Sequence, residues 1–270
     1  MAIIALAGRG PGPDGHDAGV AVPEDVTLVA PALRRPRMMT QRWSDVAFLH
    51  WAVDPGAVAR FFPPGVAPDV LDGRTYVGLV PFRMVGAGFG TGPAVPWAGT
   101  FLETNVRLYS VDDTGRRGIV FLSLDADRAL VVAGARAAFG LPYRWARLGF
   151  AADGDDRRYT ARLRWPNRRV ASRVAVRAGG PAPDGPLERF LTARWGLHVA
   201  HLGRTWYVPN NHPAWPLRTA EVQELDDGLV AAAGLGDLAG RPPDHVAFSD
   251  GVPVEFGLPT PARTPRRHDR

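Results

Sequence analysis

The run Phe101–Tyr109 (FLETNVRLY) alternates without a break. Phe101, Glu103, Asn105, Arg107 and Tyr109 fall on one side of an extended chain, and Leu102, Thr104, Val106 and Leu108 on the other. A helix would scatter both sets, so this period of two requires a strand with two unlike faces. The turn Asp112-Asp113-Thr114-Gly115 and the segment Gly118–Leu124 supply a hairpin partner. Phe48–Val53, Arg74–Met84, Arg157–Trp165, Arg169–Arg177 and a segment near Leu217–Leu225 read as further strands. Helical period is confined to two central segments. One is about Arg128–Phe139, with Asp125 or Asp127 near its N-cap and Gly140 stopping it; the other is about Pro186–Trp195, with Gly196 after it. The expected fold class is α+β and mostly β, with the sheet closed or strongly curled.

Composition narrows the chemistry. Among 270 residues there is no cysteine, which excludes disulfides, thiolate nucleophiles and Cys-based metal sites. All 32 Lys/Arg positions are arginine, so no side-chain amine can form a Schiff base. The net charge of +5 comes from arginines interleaved with 27 acids along the whole chain, not from one basic segment, so no nucleic-acid partner is expected. No apolar run approaches the ~20 residues of a membrane span. The apolar Met1–Ala7 is too short for a signal peptide and lacks a basic flank, so a cytoplasmic location is expected. Residues 1–37 read as a flexible Gly/Pro-rich extension, 38–258 as a single domain, and 259–270 as a disordered basic tail.

Several ordered blocks are similar to the signature of the YqjF-like family, a domain of unknown function. They are Phe48-Leu49-His50-Trp51, Pro81-Phe82-Arg83-Met84, Phe101–Arg107, Phe121–Asp125, Gly134-Ala135-Arg136, Gly140-Leu141-Pro142-Tyr143 and His212–Leu217. That family resembles in turn the acetoacetate decarboxylase-like superfamily, which implies a curled antiparallel β-barrel around an internal small-molecule cavity. The decarboxylase pattern lies on this chain only in part. Phe101-Leu102-Glu103 matches its strand glutamate and Gly134-Ala135-Arg136 its helix arginine, with one extra residue before the loop. Gly140-Leu141-Pro142-Tyr143-Arg144 matches the catalytic loop and puts Tyr143 on the position of the nucleophilic lysine. A phenol cannot condense with a ketone, so the covalent step that the resemblance would imply is absent.

The face carrying Glu103, Asn105 and Arg107 is either the solvated side of a sheet or the lining of a barrel; the resemblance favours the lining. Arg136, in an apolar helix, is either a salt-bridge partner of Glu103 or Asp125 or a clamp for a ligand carboxylate. Tyr143 and Arg144, placed on a loop, are a candidate general acid and its neighbour, although a buried Tyr with a satisfied hydroxyl is the commoner arrangement. Arg83 is a further candidate, and His50 reads as a core histidine. His198, His201 and His212 fit no compact metal-ligand spacing, and neither metal nor cofactor is expected. Gly86–Gly92 lies between strands and reads as a flexible loop, not a dinucleotide cradle.

The expected site therefore has Glu103 and Tyr143 as catalytic residues and Arg83, Asn105, Arg107, Arg136 and Arg144 as ligand-binding residues. The expected partner is a small organic acid or keto/enol compound, with association of copies of the chain left open. The chemistry expected of an enzyme is non-covalent acid–base work of lyase, isomerase or cyclase type. The alternatives are a carrier or sensor, and a structural protein with an ion-paired core.

Overall fold

The computed structural model describes residues 22–262. Thirteen strands dominate it. Strands β1 (Met39–Val53), β2 (Val66–Pro68), β3 (Thr75–Phe89), β4 (Phe101–Asp112) and β5 (Arg117–Ala126) come first, with the one-turn helix α1 (Pro55–Val58) after β1. Helix α2 (Ala129–Phe139) leads into β6 (Tyr143–Asp153), β7 (Asp156–Trp165) and β8 (Ala171–Pro181). Helix α3 (Pro186–Thr192) precedes β9 (Gly196–His201), β10 (Arg204–Asn211) and β11 (Leu217–Asp227); α4 (Leu229–Ala232), β12 (His245–Phe256) and β13 (Thr260–Pro261) complete the order.

The pairings close a ring: β5, β6, β7, β8, β11, β12, β1, β3, β4 and back to β5. The strands β12-β1-β3-β4-β5 form a wall that two arms share. The long arm, β6-β7-β8-β11, joins β5 at Leu124–Ala126 and β12 at Ala247–Ser249. The short arm, β9-β10, joins β5 at Ile119 and β12 at Glu255–Phe256. The sheet is not wholly antiparallel, because β5 pairs in parallel with both β6 and β9.

Directly opposed residues of paired strands share a face, so register shows what each side of the wall meets. Leu49, Leu79 and Val106 align across β1, β3 and β4, as do Trp51, Val77 and Leu108. These pack against Ala146, Ala161, Leu163, Val174 and Val176 of the long arm. The other face carries His50, Val80, Phe82, Glu103, Asn105, Arg107 and Tyr109. At its Tyr109 end it meets Leu197, Val199 and Val208 of the short arm and Phe190 and Leu191 of α3. Both faces of β4 are thus buried, which the alternation alone left open.

Element ends differ from expectation in physically explicable ways. Helix α2 begins after Arg128, which makes no side-chain cap; neither Asp125 nor Asp127 is its cap, because β5 continues through Ala126. Its C-terminal Gly140 has φ 66°, where a Cβ would strike the His201 ring and the Ala200 carbonyl. Helix α3 stops at Thr192, three residues early, and Arg194 instead turns its guanidinium inward to Asp69. Tyr143 and Arg144 begin strand β6 instead of lying on a loop.

Of the expected extension, residues 22–37 lie against the body without regular structure. Glu24 N–H donates to Gly115 O at 2.8 Å, Trp195 Nε1 donates to Thr27 O at 3.2 Å, and Arg37 pairs with Glu255 at 2.8 Å. Residues 1–21 and, of the expected tail, 263–270 lie outside the described residues, while Thr260–Pro261 adds to the edge of β10. Among the described residues no helix is long and apolar enough to cross a membrane.

Strand β1 shifts register against β3 between Ser44 and Leu49, with Asp45 at φ 50°. This bulge presses its backbone onto Gly251 of β12. Gly251 has φ 114°, and a Cβ there would stand 1.9 Å from Trp43 O and 2.7 Å from Ser44 Cα. Gly251→Ala is expected to destabilise the protein by about 2 kcal/mol or more in denaturant melts, from left-handed strain and overpacking combined. A melt within 0.5 kcal/mol of wild type, a margin of about the size seen for neutral surface changes, would remove the bulge as a constraint on closure.

Candidate functional site

Strand parity decides which expected site residues meet. Leu124 aligns with both Asn105 and Tyr143, so Tyr143 points to the polar face of the wall. Its hydroxyl donates to Glu103 Oε2 at 2.8 Å. Asp125 aligns with Thr104 and with Arg144, which places both on the opposite face. There Arg144 makes a bidentate pair with Asp125, at 2.6 and 2.8 Å, and donates to Ser123 Oγ at 3.0 Å. Arg144 is therefore part of the long-arm core and is separated from Glu103 by the sheet.

Two further arginines also fall outside the cluster. Arg136 is exposed and holds the chain instead of a carboxylate: its Nη1 donates to the backbone oxygen of Tyr143 at 2.8 Å, and its guanidinium lies over Trp165. Helix α2 buries only Val132, so its apolar sequence did not mean burial of Arg136. Arg83 points away from Phe82 and pairs with Asp45 at 2.9 Å, with its side chain 41% exposed.

The residues brought together on the polar face are Glu103, Asn105, Arg107 and Tyr143, with Tyr109 and His50 continuing the row. Glu103 is 3% exposed and makes no ion pair among the described residues. Burial raises its pKa to about 7, against the lowering effect of the hydrogen bonds from Tyr143 and Asn105; the charge of Asp125 adds to the rise. Burial pushes the Tyr143 phenol well above its usual range, and the charge of Glu103 pushes it further. Near neutral pH the carboxyl is therefore the group of this pair that changes protonation.

Arg107 is 8% exposed. Its Nη2 donates to the Tyr109 hydroxyl at 3.0 Å and to Leu191 O at 3.2 Å. Tyr109 lies 2.7 Å from His50 Nε2, and His50 Nδ1 lies 3.0 Å from His245 Nδ1. Burial holds His50 well below the usual imidazole range, helped by the charges of His245 and Arg107, so His50 is a neutral member of this row. The sequence marked His50 as a core histidine; its link through Tyr109 to Arg107 depends on cross-strand register and was not readable. The aromatic residues Trp43 and Trp215, stacked at 5.9 Å, were not anticipated either.

The three histidines considered for a metal are dispersed. His198 bonds Ser110 Oγ at 2.9 Å and lies 3.6 Å from Asp112, His201 lies beside Gly140, and His212 lies against Trp195. The Ser110–His198–Asp112 row is buried, and Asp112 is already engaged by Thr114 and Arg116, so it serves to seat β9 on β4.

This architecture is that of the acetoacetate decarboxylase-like proteins. The chain superposes on acetoacetate decarboxylase from Legionella pneumophila with a TM-score of 0.61 at 13% identity, covering 87% of this chain and 92% of that one. It superposes on the enduracididine biosynthesis enzyme MppR, in complex with pyruvate, with a TM-score of 0.57 at 17% identity, covering 86% and 93%. Within that fold the chain belongs to the DUF2071 family, described as an uncharacterized conserved protein, which it matches over residues 40–253. It is 33% identical over 201 residues to the uncharacterized protein YqjF of Bacillus subtilis (strain 168), covering 73% of this chain and 82% of that protein.

Two measurements check the site. The folded pKa of Glu103 lies above the ordinary value of 4.5, so its protonated form suits the fold and stability is lost as pH rises from about 4.5 through about 7. Glu103→Gln removes that loss. Its stability relative to wild type should rise by roughly 3 kcal/mol between pH 4.5 and 8 in urea titrations, and a pH-independent difference would refute the shifted carboxyl. Asp125→Ala leaves Arg144 buried without its hydrogen-bonded carboxylate and should cost about 3–5 kcal/mol, whereas Arg83→Ala should cost about 1 kcal/mol or less. Equal costs would contradict the placement of the two arginines.

Proposed function

We propose that the protein binds a small organic acid on the polar face of the wall and moves a proton to or from it without a covalent intermediate. The observation that carries this reading is Glu103: a buried carboxyl without a guanidinium partner among the described residues, hydrogen-bonded by Tyr143 and titrating near pH 7. A carboxyl devoted to structure is better served by ionising against an arginine, as Asp125 does with Arg144. One that titrates at working pH can accept a proton and return it.

In this reading Arg107 holds the ligand's carboxylate or enolate oxygen, Asn105 orients it, and Glu103 takes the proton from the adjacent carbon. Tyr143 keeps the Glu103 carboxyl in place and donates to it as it ionises. Its raised pKa keeps the phenol protonated, so it works as a hydrogen-bond donor and not as a base. Lysine is absent, so activation of a ketone has to come from these hydrogen bonds and not from an iminium on a side chain. MppR, in the same fold, has been captured with pyruvate and with the condensation product of pyruvate and imidazole 4-carboxaldehyde, which supports a keto acid as the kind of ligand to try first.

The test is proton exchange. Pyruvate, 2-ketobutyrate and acetoacetate are incubated with the protein in D2O, and loss of the carbon-bound protons adjacent to the carbonyl is followed by NMR, alongside thermal shifts. Exchange above the solvent rate is expected, rising with pH as Glu103 ionises and falling about 100-fold or more in Glu103→Gln. Binding without exchange would make the protein a carrier, and an organic-acid panel that neither binds nor exchanges would end the proposal.

A further inference from the structure

Arg107 differs from the other buried arginines of this protein. Arg144 and Arg194 face Asp125 and Asp69 respectively. Arg107, at 8% exposure, forms no salt bridge with any described carboxylate, and its Nε is buried without a hydrogen-bond partner among the described residues. Its two acceptors, the Tyr109 hydroxyl and the Leu191 carbonyl, are neutral. Glu103, on the same face of the strand beyond Asn105, makes no ion pair with it among the described residues. Nearby imidazoles add nothing negative: burial holds His212 at about 4 and His50 well below its usual range, so both are neutral. An uncompensated guanidinium in such surroundings is costly unless an anion joins it.

Two more buried polar atoms on this side of the wall lack partners among the described residues. They are Asn105 Oδ1, on a side chain only 5% exposed, and Trp43 Nε1. What surrounds them is aromatic. The Arg107 guanidinium lies 5.5 Å from the Phe48 ring centre, and Trp215 meets Phe48 edge-on at 5.1 Å. Trp215 stacks on Trp43 at 5.9 Å with 12° between planes, and Phe82 meets Trp43 at 5.9 Å. An aliphatic acid would use the arginine alone, whereas a ring would also extend the aromatic packing at the half-buried Trp43 and Trp215.

We propose that the ligand is an aromatic carboxylate, with its carboxylate on Arg107 and its ring against Phe48, Trp43 and Trp215. This rests on the reading of the polar face as a ligand site and adds the chemical class. Trp215 stands on the irregular segment 212–216, outside the strands, so altering it leaves the backbone pairing of the wall in place.

The probes are phenylpyruvate and pyruvate, which share a keto-acid group and a charge and differ by the phenyl ring, with benzoate and acetoacetate as a second pair. Affinities are measured by calorimetry on the full chain. Phenylpyruvate is expected to bind at least about tenfold more tightly than pyruvate, the equivalent of one good aromatic contact. Trp215→Leu should weaken phenylpyruvate far more than pyruvate and so remove most of that advantage. Arg107→Gln should weaken both acids, and circular dichroism checks that it is folded; if it is not, the Trp215 comparison decides alone. Pyruvate binding as tightly as phenylpyruvate, or an advantage untouched by Trp215→Leu, overturns the aromatic class while the site itself stands. Failure of all four acids to bind overturns the site with it.

Discussion

Everything in this protein hangs on one sheet wall that is buried on both sides. Strands β12, β1, β3, β4 and β5 are crossed by the long arm on one face and by the short arm and α3 on the other. A strand in such a position has no solvent face on which to leave charge, so every polar group on β4 must find a partner in the interior or sit there unpaired. The apolar row Val106 and Leu108 meets the long arm without difficulty. The row Glu103, Asn105, Arg107 and Tyr109 does not, and that is where the chemistry collects.

The buried charges separate into two kinds. Asp125 pairs with Arg144, and Asp69 is shared by Arg117 and Arg194, so each of these ions faces an opposite charge. Glu103 and Arg107 have opposite signs and share a face, yet the strand holds them apart, with Asn105 between. Each is stabilised by neutral hydrogen-bonding groups instead. A carboxyl and a guanidinium separated in this way are available to a third species, whereas a salt bridge would have consumed both.

Much of this was legible in the sequence. The alternation of β4, the hairpin to β5 and the motif blocks gave the mostly β ring and put Glu103, Asn105 and Arg107 on one face. What could not be read was long-range register. Burial of both faces depends on where β9, β10 and β12 pair, and none of those strands was recognised in the sequence. Pro142 made Tyr143 and Arg144 look like loop residues, although they open a strand and so must point in opposite directions. The apolar sequence around Arg136 suggests burial, but Ala and Gly are small enough to stand in solvent at little cost, and α2 does so along most of its length.

The opposition of Tyr143 and Arg144 carries a consequence for how such a fold can change its chemistry. The two side chains are neighbours in sequence but serve separate cores, and only the pairing of β6 with β5 assigns them. Adding or deleting one residue between α2 and β6 would exchange them, bringing a guanidinium to Glu103 and a phenol to Asp125. The carboxyl would then ionise against the arginine and stop titrating near neutrality, while the other core would lose its counter-ion. A single-residue indel between α2 and β6 would thus reassign the charge of both interiors at once, and would turn every other β6 side chain to the opposite face with them.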